Sequence, residues 1–184
     1  MYLTEVLAVS PHVRVLHVAP ERALQLYLSR LLGGSYVAAD ITPERYLRTN
    51  HVCCLDVTRL PFRSEAFDLI LCNHVLEHVP RDLAAMGEIR RVLKKDGLSI
   101  LQVPFALERE RTLEAEPGDT AADCLRKFGQ ADHVRLYAKQ DYIRRLARCG
   151  LRVEEFWAWR ERPERAAYFD LDPLEPLFLC RPDA

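Results

Sequence analysis

The stretch Phe67-Asp68-Leu69-Ile70-Leu71-Cys72-Asn73-His74-Val75-Leu76-Glu77-His78-Val79-Pro80 constrains this chain more than any other. It opens as a short, unbroken apolar run, turns polar at Asn73 and runs on in a helical pattern. An apolar run without alternation suits a strand covered on both faces of a parallel sheet. Polar groups gathered where such a strand ends mark the place where open α/β sheets bind their ligands.

Other segments supply neighbours for that strand. Residues 13–18 read as a buried strand. Pro20 then opens a helix over 21–32, because a proline at the first helical position gives up an N–H that has no partner there. Leu24, Leu28 and Leu31 form its apolar stripe, and Gly33-Gly34 end it. Further strands are predicted over 36–39, ending at Asp40, over 52–55, ending at Asp56, and over 98–103, 151–159 and 176–180. Thr42-Pro43-Glu44 reads as a short helical turn. Amphipathic helices are predicted over 81–94 and 139–149, with Asp96-Gly97 as a turn. Strands alternating with helices give an α/β fold with a doubly wound sheet and ligands at the carboxyl ends of the first four strands. The whole chain, 1–184, reads as one domain. Residues 104–135 are charged and weakly periodic and read as a lid or substrate segment, with 114–119 its most loop-like piece. Residues 1–11 and this segment are expected to form any lid; the alternatives are an open cleft or closure by a second subunit in a homodimer.

The formal net charge of −1, with both signs spread along the chain, excludes the clustered basic surface of a nucleic-acid binder. Six cysteines, Cys53, Cys54, Cys72, Cys124, Cys149 and Cys180, form no C-x-x-C pair, so free thiols in a reducing compartment are expected. No signal-peptide pattern and no membrane-length apolar run is visible, which predicts a soluble cytoplasmic protein with no membrane partner.

The 67–80 stretch also resembles the post-strand motif of class I S-adenosylmethionine (SAM) dependent methyltransferases, type 11-like. There a phrase such as FDLIxxxxVLEHV precedes a helix ending RVLKPGG. Here that helix ends Arg91-Val92-Leu93-Lys94-Lys95-Asp96-Gly97, and Leu98 to Val103 follows as a strand. The resemblance covers residues 13–104 well and the remainder loosely. It implies a mostly parallel, seven-stranded Rossmann-like sheet of order 3-2-1-4-5-7-6 with strand seven antiparallel. It also implies SAM as cofactor and methyl transfer to a small-molecule substrate. Two alternatives stay open: a SAM-using cyclase or lyase on the same fold, and a non-catalytic methyltransferase-fold binding module.

Asp40 lies about 20 residues past the first strand–helix turn, where nucleotide-binding folds place the acid that takes ribose hydroxyls; a turn or cap residue is the other reading. Asp56, in Asp56-Val57-Thr58-Arg59-Leu60-Pro61-Phe62, resembles the D-x-x-x-L-P-F motif that holds adenine. The resemblance gives the acid the exocyclic amine and a neighbouring main-chain N–H, such as that of Val57, a ring nitrogen. Leu60, Pro61 and Phe62 would be apolar walls. Asn73 and His74 match the family's main-chain contact to the methionine part of SAM.

The first turn departs from the family's acid followed by G-x-G-x-G. It reads Leu16-His17-Val18-Ala19-Pro20-Glu21, like an L-H-x-A-P-E subset of methyltransferase-like proteins. His17 stands in the acid's place and Ala19 keeps the turn small. Glu21 either takes over the pairing with the methionine ammonium or simply complements the helix dipole.

Chemistry is expected in the 128–137 segment. His133 would take a proton, Arg135 would hold an anionic substrate group and Tyr137 would position a nucleophile; structural roles in a loop are the alternative. His78, one helical turn beyond His74, is expected to face the cleft; structural packing of at least one of the two is the other reading. The His74/His78 pair lacks a third ligand in the sequence, so no metal site is expected.

Overall fold

A computed structural model of the chain describes residues 12–46 and 52–183. At its centre β1 (Val15–Val18), buried throughout, lies between two parallel neighbours, β2 (Tyr36–Asp40) and β4 (Phe67–Cys72). β3 (Val52–Cys54) pairs in parallel with β2, and β5 (Leu93–Ile100) with β4. Three short strands follow: β6 (Phe105–Ala106), β7 (Leu113–Glu114) and β8 (Arg135–Ala138). β9 (Leu151–Phe156) and β10 (Leu177–Pro182) complete the main sheet. Its order is β3-β2-β1-β4-β5-β10-β9, with β10 antiparallel to both neighbours. With the short strands set aside, this is the predicted order.

The helices are α1 (Arg22–Leu32), α2 (Asp82–Val92), α3 (Ala121–Phe128), α4 (Lys139–Arg148), α5 (Ala158–Glu161) and α6 (Pro163–Tyr168). They cover both faces of the sheet. Leu69 and Leu71 of β4 pack with Leu28 and Leu32 of α1, whereas Ile70 and Cys72 pack with Met86 and Ile89 of α2 and with Tyr142 and Leu146 of α4. A strand that sends successive side chains to opposite covered faces must be apolar where both faces are covered, which explains the unbroken run from Leu69 to Cys72. α2 buries Ala85, Met86, Ile89 and Val92, an i, i+3, i+4 stripe.

Three expectations need correction. Asp96-Gly97 is not a turn between helix and strand. β5 starts directly at Leu93, and a register shift against β4 between Phe67 and Leu69 absorbs the irregularity. Gly97 serves close packing instead, since a Cβ there would lie 2.7 Å from Leu93 Cδ1. The 104–135 segment has more regular structure than its weak periodicity suggests. It holds β6, β7 and α3 and ends in β8, and its strands form a small sheet of order β6-β8-β7. α3 carries a capping box, in which Thr120 Oγ1 accepts from the Asp123 N–H and the Asp123 carboxylate accepts from the Thr120 N–H. The strand predicted over 151–159 stops at Phe156, and α5 and α6 follow. The expected lid residues 1–11 lie outside the described residues. Among the described residues no helix is long and apolar enough to cross a membrane.

Candidate functional site

β1 ends in Ala19, whose N–H donates to Ala39 O at 2.7 Å and whose φ is +48°. A left-handed backbone costs an alanine roughly 1–2 kcal/mol. His74, just past the neighbouring tip of β4, has φ +54°. Strain of this kind gathers at binding sites, held by the structure around it. Here it occurs on two adjacent strand tips.

Between those tips runs a polar chain. Glu21 is the N-cap of α1, yet its side chain makes no capping hydrogen bond. Its Oε2 lies 2.7 Å from His17 Nε2, and its Oε1 accepts from Asn73 Nδ2 at 3.0 Å. His17, fully buried, meets the Tyr36 hydroxyl at 2.9 Å through Nδ1. Burial opposes the Glu21 charge, but the hydrogen bonds from His17 and Asn73 outweigh it and hold the pKa at about 2. The carboxylate is therefore engaged across the strand tips rather than serving only the helix dipole. Asn73 Oδ1 is buried and has no partner.

Two adjoining cavities, of ≈ 360 and ≈ 660 Å³, open at this end of the sheet and share His74, Asp172 and Glu175. Glu21, Asn73 and Gln102 line the smaller one, with Phe156, Leu171 and Leu177 as apolar surface. Three carboxylates around one histidine make this chamber suited to a cation. The Glu77 carboxylate, 3.7 Å from Nδ1, raises the pKa of His74 against the effect of burial, and Glu175 and Glu21 add to it. The larger cavity is walled by residues 103–109, including Phe105 and Arg109.

Sequence reasoning missed Gln102, Asp172 and Glu175. Gln102 Nε2 donates to Glu175 Oε1 at 2.9 Å and to Pro176 O at 3.1 Å, fixing the acid at the chamber wall. The available signal was a pair of acids each directly before a proline, in Asp172-Pro173-Leu174-Glu175-Pro176.

The other expected cofactor residues lie at the next two tips. Asp40 Oδ1 accepts from the Thr42 N–H (2.7 Å) and hydroxyl (3.1 Å), and its Oδ2 accepts from the Tyr46 hydroxyl at 2.7 Å. Three of about four acceptor positions are thus taken. Asp56, exposed, accepts from the Thr58 N–H and hydroxyl, both at 2.8 Å, and these bonds lower its pKa. The Leu55 N–H to Asp40 O bond ties the two tips together. Ile41, 67% exposed beside Asp40, leaves apolar surface at the rim. The side chain of Val57 is buried, so only its main chain is available to a ligand. Leu60 and Phe62 are not open walls. Leu60 is in the core and Phe62 packs edge-on to Phe67 at 4.9 Å. Arg91 bonds both of their carbonyls, at 2.9 and 2.7 Å.

The four residues expected to do chemistry lie away from the two cavities. Arg135 is 3% exposed and its guanidinium is spent inside the fold, donating to Leu76 O, Val79 O, Pro80 O and the Glu114 carboxylate. It has no face left for a substrate anion. Tyr137 is fully buried and donates its hydroxyl to Asp82 at 2.9 Å. His133 is buried. His78 does not share a side with His74, because Leu76–His78 is a 3-10 turn rather than an α-helix. His74 lines the cavities, while the ring of His78 meets that of His133 with centroids 4.6 Å apart.

Residues 16–101 match the sequence model of a methyltransferase domain. That stretch, just under half of the chain, is similar to the methyltransferase domain, and the sheet order is that of the class I SAM-dependent methyltransferase fold. It is 43% identical over 60 residues to an uncharacterized protein of Methanocaldococcus jannaschii, covering 33% of this chain and 26% of that one. It is 30% identical over 100 residues to a ubiquinone biosynthesis O-methyltransferase of Haemophilus ducreyi, covering 54% and 34%. The matched stretches thus span about a third or less of these relatives' lengths. A crystal structure of an S-adenosylmethionine dependent methyltransferase from Mesorhizobium loti shares the fold, with a TM-score of 0.59 and 16% identity over 92% of this chain and 90% of that one. The methyltransferase-domain match runs from β1 to the end of β5. It includes Glu21, Asp40, Asp56, Asn73 and His74, whereas Phe105, Arg109, Asp172 and Glu175 lie beyond it.

Proposed function

We propose that this protein binds SAM across the tips of β1 to β4 and transfers its methyl group to a small molecule held in the larger cavity. One observation carries this reading: the ionised Glu21, braced by His17 and Asn73, faces an acidic chamber in a methyltransferase fold. The donor set fits the cofactor. SAM is cationic at its sulfonium and ammonium, and the chamber offers Glu21, Asp172, Glu175 and the unpartnered Asn73 Oδ1. When bound, SAM supplies a methyl group on a sulfonium that is its own leaving group.

The chain's residues hold and orient. Glu21 accepts from the ammonium, and His17 keeps that carboxylate in place through its 2.7 Å bond. Asp40 takes ribose hydroxyls, Asp56 the adenine amine, and Ile41 offers its exposed side chain to the ring. His74, where the cavities join, is the residue placed to take a proton from the substrate. Its raised pKa moves that step to higher pH than an ordinary histidine would need. Alignment of the two reactants, more than any one base, supplies the rate.

Calorimetry with SAM, followed by product analysis with a panel of small phenols, amines and thiols, tests the reading. S-adenosylhomocysteine and a methylated acceptor support it. Methylthioadenosine would favour the cyclase or lyase reading, and no SAM affinity would leave only a binding module.

A further inference from the structure

Behind the tip of β4, Glu77, His78 and His133 come together from two distant segments. One donor atom from each lies within 4.8 Å of the others. Glu77 is 1% and His133 3% exposed. Glu77 Oε2 is buried without a hydrogen-bond partner, and the ring nitrogens of His133 are buried with at most a weak contact to the Phe128 backbone. Buried polar atoms are nearly always paired, so under-satisfied atoms gathered at one place call for an explanation.

The histidines are prepared as ligands. His78 Nδ1 lies 3.1 Å from the Asp132 carbonyl oxygen and 3.4 Å from its carboxylate. Donation of Nδ1–H there leaves the lone pair on Nε2, which is how an outer partner fixes a metal-binding imidazole. Burial first, and the neighbouring His78 second, lower the pKa of His133, the direction that favours the neutral imidazole.

We propose that Glu77, His78 and His133 bind a divalent transition-metal ion of the zinc type. The sequence shows only the His74/His78 pair and no third donor. The fold removes His74 from that set and supplies Glu77 and His133 instead. Two imidazoles and one carboxylate suit zinc and its late first-row neighbours, whereas magnesium and calcium prefer oxygen alone. Zinc–nitrogen bonds of about 2.0–2.1 Å require the donors to draw closer than they stand here, through small side-chain rotations. Three protein ligands leave a further position for water, and the part-exposed His78 gives the site access to solvent. The bound ion pins the loop before β8 to the turn after β4. It uses none of the residues assigned above to SAM.

The test is titration of chelator-stripped protein with Zn²⁺ by calorimetry and with Co²⁺ by visible absorption. One equivalent of Zn²⁺ is expected, with the d–d bands of a low-symmetry Co²⁺ site and a rise in melting temperature. His133→Gln and His78→Gln should each weaken binding at least tenfold and abolish the rise. Cys53→Ser/Cys54→Ser should bind as the parent does, which controls for the adjacent exposed thiols. Because His133 is buried, the part-exposed His78 gives the safer variant if His133→Gln fails to fold. Absence of saturable binding, or binding that survives His78→Gln and disappears with the thiols, would overturn the proposal.

Discussion

His17 Nε2 and Glu21 Oε2 meet at 2.7 Å across the entry to α1, where the family's usual motif would have an acid and glycines. The buried imidazole cannot itself bind a cation from its position inside β1, but it holds a carboxylate that can. Asn73 fastens the same carboxylate from β4. Glu21→Gln keeps the shape and removes the charge. It should weaken SAM binding about 10- to 100-fold, the range of a lost charge-assisted contact. Calorimetry reads this directly, and an unchanged affinity would remove Glu21 from the cofactor site.

Acid stability should report the same contact. The folded pKa of Glu21, about 2, lies below its ordinary value of 4.5. A depressed carboxylate contributes stability above its unfolded pKa and loses it as pH falls through the folded one. The contribution is thus complete above about pH 5 and disappears towards pH 2. Because the side chain is 47% exposed, solvent screening makes it smaller than the shift alone suggests. The urea-midpoint difference between wild type and Glu21→Gln should shrink between about pH 6 and pH 2.5. A gap that stayed constant would show that the ionisation is not coupled to folding.

The sheet was legible because its evidence is local. β4 was predicted to the residue, since an unbroken apolar run bounded by polar groups has few other uses. The strand order came from the resemblance and not from periodicity. The positions of the residues proposed for the cofactor were legible for a similar reason: Glu21, Asp40, Asp56 and Asn73 each end a recognisable strand or open a helix. The substrate half was not. Gln102 and Glu175 meet only where the chain returns to the sheet just before β10, and no spacing announces a contact between residues so far apart in sequence. Arg135 and Tyr137 misled for a physical reason. Arg and Tyr next to a polar loop look the same whether their donors serve a substrate or carbonyls such as Leu76 O.

The network around Asp82 should be a stability determinant rather than a catalytic one. Asp82 accepts from the Tyr137 hydroxyl at 2.9 Å and from Arg145 Nη1 at 2.8 Å, and Arg135 Nε stands 3.8 Å away. Asp82→Asn leaves buried guanidinium charge short of a counter-ion and should cost about 3 kcal/mol, the low end for a broken buried pair, because Glu114 still bonds both arginines. Tyr137→Phe removes one donor only and should cost about 1 kcal/mol. Chemical denaturation measures both, and SAM affinity should change in neither folded variant.

Gly97→Ala tests the packing role of that glycine. Its Cβ would stand 2.7 Å from Leu93 Cδ1 and 3.0 Å from the Lys94 carbonyl oxygen. Leu93 is fully buried and cannot swing aside. Overpacking at such a site should cost about 1–3 kcal/mol. A neutral result in thermal unfolding would mean that the β4–β5 register shift relaxes to make room.

Asp40 and Tyr46 set up a competition at the ribose end. The Tyr46 hydroxyl occupies Asp40 Oδ2 at 2.7 Å, while Thr42 occupies Oδ1 twice. A ribose diol that takes Asp40 must displace Tyr46 or share the oxygen with it. Asp40→Asn, which removes the charge and half of the acceptor capacity, should therefore weaken SAM binding more than tenfold. Tyr46→Phe should have the opposite sign, with affinity rising a few-fold because Oδ2 is already free. Loss of affinity in Tyr46→Phe would mean instead that the tyrosine positions Asp40 for the ligand, and equal affinity in all three proteins would take the ribose away from this strand tip. The Asp40→Asn effect should persist with S-adenosylhomocysteine, which has the same ribose and no sulfonium charge, whereas the Glu21→Gln effect should persist through the shared ammonium. A methylthioadenosine control, which lacks the ammonium, separates the two: only the Asp40→Asn loss should survive in it.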